Sequence, residues 1–289
     1  MHNGHAYDGE PIDDPRPPLL CLHGFPEYWG CWAEVAPFLS DDHLVVIPDQ
    51  RGCGRSGMPQ GAGNYTAPHL VTDMLELATA FFGGRRFDLA GHDFGASVAY
   101  ALVFTAPERV DRLVIVNGAH PVCLQEALID DPEQAAASEY FHTVREPDAG
   151  AKAAADDFRS SFENIEQHSA RPWLTDDLRA RYRDAWEGPE RLDAMFNWYR
   201  SSPIVVPVIG RELPEAPLYG ATSQNFRVPM PHLLVWGLDD KALLPESRTR
   251  LPEFCDDLTV REVEGADHWI LHTHPEVAAS LIGTYLART

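Results

Sequence analysis

Asp93, Asp240 and His268 follow one another along the chain in settings that suit a two-step displacement at carbon. Asp93 is the centre of Gly91-His92-Asp93-Phe94-Gly95, between the strand-like Arg86-Phe87-Asp88-Leu89-Ala90 and a helix-like run from Gly95 to Leu102. Glycines on both sides let a strand and a helix approach closely, as a strained, exposed strand-to-helix turn requires. The helix start aims free N–H groups at the carboxylate. The same local pattern also reads as a plain helix-capping aspartate, and five residues alone leave both readings open. A serine in such a turn needs a base to take its proton as it attacks. A carboxylate arrives charged: it attacks a saturated carbon, becomes an ester, and needs a base only when water attacks that ester.

The base and its partner are expected on later loops, in the order nucleophile, acid, base. Trp236-Gly237-Leu238-Asp239-Asp240 places an acidic pair just past an apolar run. Asp240 is chosen, with Asp239 as the alternative. Gly265-Ala266-Asp267-His268-Trp269 follows the alternating stretch over 258–263, which makes His268 the base. A lone histidine in a loop is usually a surface residue; its order after Asp93 and Asp240 favours chemistry instead. His268 takes a proton from water while Asp240 fixes the ring tautomer. His23-Gly24-Phe25-Pro26 follows the first apolar run and supplies an N–H at Phe25, with a second at Phe94, for the oxyanion of ester hydrolysis. His23 reads as a brace, and His92, His272 and His274 as supporting or surface groups. With no HExxH and no ligand cluster in the sequence, neither a metal nor an organic cofactor is expected.

Apolar runs at Pro18–Leu22, Leu44–Ile47, Leu113–Val116 and Leu233–Trp236, with the stretch over 258–263, predict a mostly parallel sheet buried on both faces. Helices are expected over 66–82, 95–106 and 275–287. Between Pro121 and Ala221 strand patterns are scarce and helical ones rich in Trp, Tyr and Phe, so residues 120–221 read as a helical cap inserted between core segments 1–119 and 222–289. Pro203, Pro207, Pro214 and Pro217 predict an irregular return. The 289 residues carry 23 Lys and Arg against 44 Asp and Glu, and a formal charge of -21 argues against a nucleic-acid partner. Five scattered cysteines suit neither zinc nor a disulfide framework. Without a signal-like segment or a long apolar run, a cytoplasmic protein with no membrane insertion is expected. A homodimer is the one protein partnership considered.

These motifs resemble the α/β-hydrolase superfamily, and within it the aspartate-nucleophile branch of epoxide hydrolases and haloalkane or haloacetate dehalogenases. The likeness runs from His23-Gly24-Phe25-Pro26 through Asp49-Gln50-Arg51-Gly52-Cys53-Gly54-Arg55-Ser56 to Asp267-His268-Trp269. It starts early in the chain, so one or two edge strands are expected to be reduced or missing. In epoxide hydrolases two cap tyrosines grip and protonate the epoxide oxygen. Asn197-Trp198-Tyr199-Arg200 resembles the motif of the second, and the proline of Glu146-Pro147, seven residues on, marks Tyr140 as the first. The resemblance implies opening of a small-molecule epoxide by Asp93 and hydrolysis of the ester by water, giving a vicinal diol. Trp198, Phe196 and Trp269 are the expected substrate contacts. The dehalogenase alternative uses the same Asp93, and Tyr140-Phe141-His142 resembles a halide-binding motif of the haloacetate group. Phe94, however, lacks the indole or arginine that those enzymes place after the nucleophile.

Overall fold

The computed structural model describes residues 10–208 and 210–287. Among them lie six strands, β1 (Pro18–Leu22), β2 (Leu44–Val46), β3 (Phe87–His92), β4 (Val110–Val116), β5 (Val228–Gly237) and β6 (Cys255–Val263), in the order β2-β1-β3-β4-β5-β6 with every pairing parallel. The apolar runs explain the sheet. Leu19, Cys21, Ala90, Val114, Val116 and Leu233 point into one core, whereas Leu20, Leu22, Leu89, Leu113, Ile115 and Leu234 point into the other. Alternation over two buried faces leaves a continuous hydrophobic run, which a half-solvated strand cannot tolerate. β4, β5 and β6 begin earlier than their apolar cores suggested, because β5 absorbs Pro229 and Pro231 beside a register shift against β6.

Strand order reverses on either side of β1, whose neighbours are β2 and β3. Such a switch leaves a crevice beyond the carboxyl ends of the strands. Helix α1 (Ala67–Phe82) leads into β3, and α2 (Phe94–Thr105) leaves it. The last long helix, Pro275–Leu286, covers the opposite face through Ala278, Ile282 and Leu286.

No strand occurs among the described residues between β4 and β5; the cap occupies that interval. Its helices are α3 (Pro121–Asp130), α4 (Pro132–Ala137), α5 (Tyr140–Val144), α6 (Ala149–Gln167), α7 (Asp176–Trp186) and α8 (Pro189–Ser201). Asp131 caps α4 by accepting from the N–H groups of Glu133 and Gln134, and Thr175 caps α7 by accepting from Leu178. α6 is broken at Asp156, Asp157 and Phe158, whose φ values of 50, 57 and 61° are left-handed. Two indoles of the cap reach the core: Trp186 Nε1 donates to the Pro26 carbonyl at 2.7 Å and Trp198 Nε1 to the Arg51 carbonyl at 2.9 Å. Both rings are fully buried, so truncating either to alanine costs about 3–5 kcal/mol.

Candidate active site

The residues of the sheet domain singled out for chemistry stand just beyond the carboxyl ends of strands. Phe25 follows β1, Asp93 follows β3, Asp240 follows β5 and His268 follows β6. Parallel register brings Leu22 opposite Gly91, so the loops carrying Phe25 and Asp93 emerge side by side.

Asp93 has φ 50° and ψ -119°, a conformation that L-residues adopt only under constraint. The constraint is crowding: a Cβ on Gly91 would lie 2.6 Å from the Gly95 carbonyl oxygen, and one on Gly95 would lie 2.5 Å from that of Leu22. The turn therefore lifts the Asp93 side chain off the sheet into the cap cleft, where it remains partly accessible. Oδ1 accepts the Phe25 N–H at 2.7 Å, while Oδ2 lies 3.3 Å from His268 Nε2. Phe94 is the first residue of α2, where its N–H has no partner within the helix.

His268 Nδ1 donates to Asp240 Oδ2 at 2.9 Å. The neighbouring Asp239 is exposed, whereas Asp240 is buried. Asp240 Oδ1 accepts from the N–H groups of Ala242 and Leu243 at 2.8 and 2.9 Å, and Oδ2 also accepts from Asn117 Nδ2 at 2.6 Å. Burial disfavours charge on both members of this pair, but their mutual attraction outweighs it. The Asp240 carboxyl is held below its ordinary pKa, and Asp240 together with Asp93 holds the His268 imidazole well above its own.

Sequence reasoning passed over two further residues. Asn117, just past β4, donates to Asp240, accepts the Gly237 N–H at 2.9 Å through its Oδ1, and accepts the Asp93 N–H at 3.2 Å through its carbonyl. An Asn-Gly pair closing an apolar strand was the available signal. Glu27 is fully enclosed. Its Oε2 is 2.8 Å from His92 Nδ1, its Oε1 is 3.0 Å from His272 Nε2, and Tyr182 of α7 reaches it at 3.5 Å. Burial opposes its charge, yet His92 and His272 hold its carboxyl well below the usual range. His92 Nε2 donates in turn to the backbone carbonyl of His268 at 2.8 Å, so Glu27 braces the loop carrying His268 and, through Tyr182, ties it to the cap. His23 is a brace as expected: the Gln50 N–H donates to its Nε2 at 3.0 Å, and its ring stacks on Trp198.

The cap brings Tyr140 and Tyr199 to the same cavity wall as Asp93. Their ring centroids are 6.0 Å apart and the rings meet edge to face. Burial first, then for Tyr140 the charge of Asp93, raises both phenol pKa values. Both stay protonated donors. The three expected substrate contacts stand elsewhere. Phe196 packs on Phe25, Trp269 packs on His268 and donates to the Ile165 carbonyl, and Trp198 backs Phe94. None of the three lines the chamber at Asp93, whose wall includes Leu124, Phe141, Ile204 and Leu243, although Trp198 lines the cavity that adjoins it. Large indoles and phenyls were better used to join cap to core. Among the described residues that line this chamber there is no Arg, Lys or His. No described group of three or more His, Cys, Asp and Glu is placed to hold a metal, and no described helix is long and apolar enough to cross a membrane.

The likeness to known proteins follows the same lines. Residues 17–275 match the family described as alpha/beta hydrolase fold. The AB hydrolase superfamily protein YfhM of Bacillus subtilis (strain 168) is 30% identical over 272 residues, spanning 93% of this chain and 90% of that protein. Epoxide hydrolase 4 of Homo sapiens is 27% identical over 281 residues, spanning 94% of this chain and 72% of that one. A solved structure described among novel epoxide hydrolases from metagenomes of hot environments superposes with a TM-score of 0.83 at 30% identity, covering 97% of this chain and 93% of its own. With six parallel strands, an inserted helical cap and an aspartate in the strained turn after β3, the chain belongs to the α/β-hydrolase fold family and, within it, to the epoxide-hydrolase branch.

Proposed function

We propose that the protein hydrolyses an epoxide to a vicinal diol through an ester on Asp93. The observation that carries this reading is the placement of a carboxylate and two neighbouring phenols on one small chamber wall. An attacking group and two proton donors facing one another are what opening a strained ether needs.

In the first step an Asp93 oxygen forms a bond to a ring carbon, the ring C–O bond breaks, and its electron pair stays on oxygen. A proton from Tyr140 or Tyr199 quenches that charge. In the second step water adds to Cγ of Asp93 as His268 takes one of its protons, and the oxyanion is held by the Phe25 and Phe94 N–H groups. Collapse breaks the bond from Cγ to the substrate oxygen, which receives the His268 proton. The second proton of water returns to the tyrosine.

Timing follows from charge. Esterification removes the negative charge that lies 3.3 Å from His268 Nε2, so the imidazole loses one of the two carboxylates that hold its proton. It becomes a base when water must be activated. The chamber wall carries no cation for a haloacetate carboxylate, which favours the neutral epoxide over that alternative.

Single-turnover hydrolysis of an aryl epoxide in heavy-oxygen water tests the route. The first diol formed should carry oxygen from the Asp93 carboxylate, and Asp93→Asn should abolish turnover. Exclusive solvent oxygen in that first turnover would instead establish direct hydration.

A further inference from the structure

The chamber at Asp93 is small, about 50 Å³. It is room for an oxirane ring and little else, since one water occupies roughly 30 Å³ in the liquid. Part of its wall is shared with a neighbouring space. Phe94, Ser97, Ser202 and Ile204 also line a second cavity of about 270 Å³ on their far side, between α1, α2 and the segment that returns from the cap. Apart from two more hydroxyls, Ser201 and Thr105, and the Tyr65 phenol, its lining is apolar, with Val71, Val98, Ala101, Phe104, Leu218 and Phe226 as its main surfaces, and none of its described lining residues is charged. It reaches solvent where Ala67, Pro68, Thr105 and Pro203 are exposed.

We propose that this second cavity admits and seats the apolar substituent of a terminal epoxide, so that the substrate lies with its ring at Asp93 and its body against α2. The inference rests on the epoxide reading above. Three features fix the substrate class. An apolar cavity of roughly 150 Å³ takes up benzene, so 270 Å³ suits a mono- or bicyclic aryl group or an alkyl chain of similar size. The wall that the two spaces share carries two hydroxyls. The Ser202 oxygen accepts the Ile204 N–H at 3.3 Å, which leaves its own proton to donate, and Ser97 faces both spaces from α2. An ether or carbonyl oxygen one carbon removed from the oxirane would meet those hydroxyls. The far side of the catalytic chamber is closed by Leu124, Phe141 and Leu243. A bulky group on the second ring carbon therefore has no seat.

The test is a substrate series on the full chain: propylene, butylene, hexene and octene oxides, phenyl glycidyl ether and trans-stilbene oxide. Expected is a rise in kcat/KM of about threefold per added methylene until the cavity is filled, with trans-stilbene oxide roughly a hundredfold or more below phenyl glycidyl ether. Ala101→Phe, which fills the cavity, should lower the kcat/KM ratio of phenyl glycidyl ether to propylene oxide roughly tenfold or more. Ala67→Trp, at the exposed mouth, should lower the same ratio and serves if the first variant does not fold. A flat series, or ratios unchanged in the folded variants, overturns the cavity assignment while leaving epoxide hydrolysis standing. No hydrolysis of any epoxide in the series overturns the underlying function as well.

Discussion

Replacing Asn117 by alanine tests whether its side chain holds Asp240 in place against the end of β5. Asn117 is fully buried and has a φ of 37°. Its amide nitrogen donates to the Asp240 carboxylate at 2.6 Å, and loss of a hydrogen bond to a buried charge costs about 1.5–3 kcal/mol. Its amide oxygen accepts the Gly237 N–H at 2.9 Å, and orphaning that buried donor adds about 1–3 kcal/mol. Alanine also tolerates positive φ less well than asparagine, at about 1 kcal/mol. These losses share one site, so they do not add in full; about 4 kcal/mol is expected. For a chain of this size that is a fall in Tm of about 10 °C, read by circular dichroism. Asn117→Asp separates fold from chemistry. It keeps the shape and the acceptor for Gly237 but sets a second carboxyl against Asp240, so the two share a proton and Asp240 holds His268 less firmly. Rapid-mixing fluorescence should then show ester formation close to wild type and ester hydrolysis slowed. If Asn117→Ala melts within about 2 °C of wild type, or Asn117→Asp slows both half-reactions equally, the proposed linkage is wrong.

Two further outcomes follow from the site. Because Tyr140 and Tyr199 face one cavity with Asp93, Tyr199→Phe leaves one donor and should slow ester formation about a hundredfold, whereas the double Phe variant should lose about ten-thousandfold or more; a double variant within tenfold of wild type excludes both as proton donors. The His268 pKa is raised by Asp240 and Asp93 against the effect of burial, so Asp93→Asn should move its ring titration, followed by NMR, downward. An unmoved titration would show that Asp93 does not set the charge of the base. The same shifts fix the sign of the stability profile: the His268 contribution is complete below the ordinary imidazole value and is lost as pH rises through its elevated folded value. That of Asp240 is complete above the ordinary carboxyl value and is lost as pH falls through its depressed one.

Much of this arrangement was legible in order and spacing. The strand cores, the helical interval and the sequence Asp93, Asp240, His268 follow from hydrophobic runs and from turns that only glycine permits. Asp240 rather than Asp239 was readable only as a preference, because two adjacent acids share every local signal; burial separates them. Glu27 carried no signal at all, since a lone glutamate after a proline looks like surface, and its partners His92, Tyr182 and His272 are 65, 155 and 245 residues away. Phe196 and Trp269 lie outside the chamber at Asp93 and Trp198 lines the space beside it, a division that was not legible for a related reason. An aromatic ring serves equally well as packing or as a substrate wall, and sequence does not say which way it faces.

The sequence by itself determined the chemistry available: a carboxylate where a hydroxyl could stand, a base and an acid after it, and strands that must lie parallel because both their faces are apolar. Those are local properties, set by side-chain type and by period along the chain. Only the tertiary structure decided which groups meet. Asn117 bonding Asp240, Glu27 holding the base loop, the paired phenols over Asp93 and the apolar space behind Phe94 all depend on where separate strands end and how the cap lies across them. Contacts of that kind are fixed by packing between distant segments, and no short stretch of sequence encodes them.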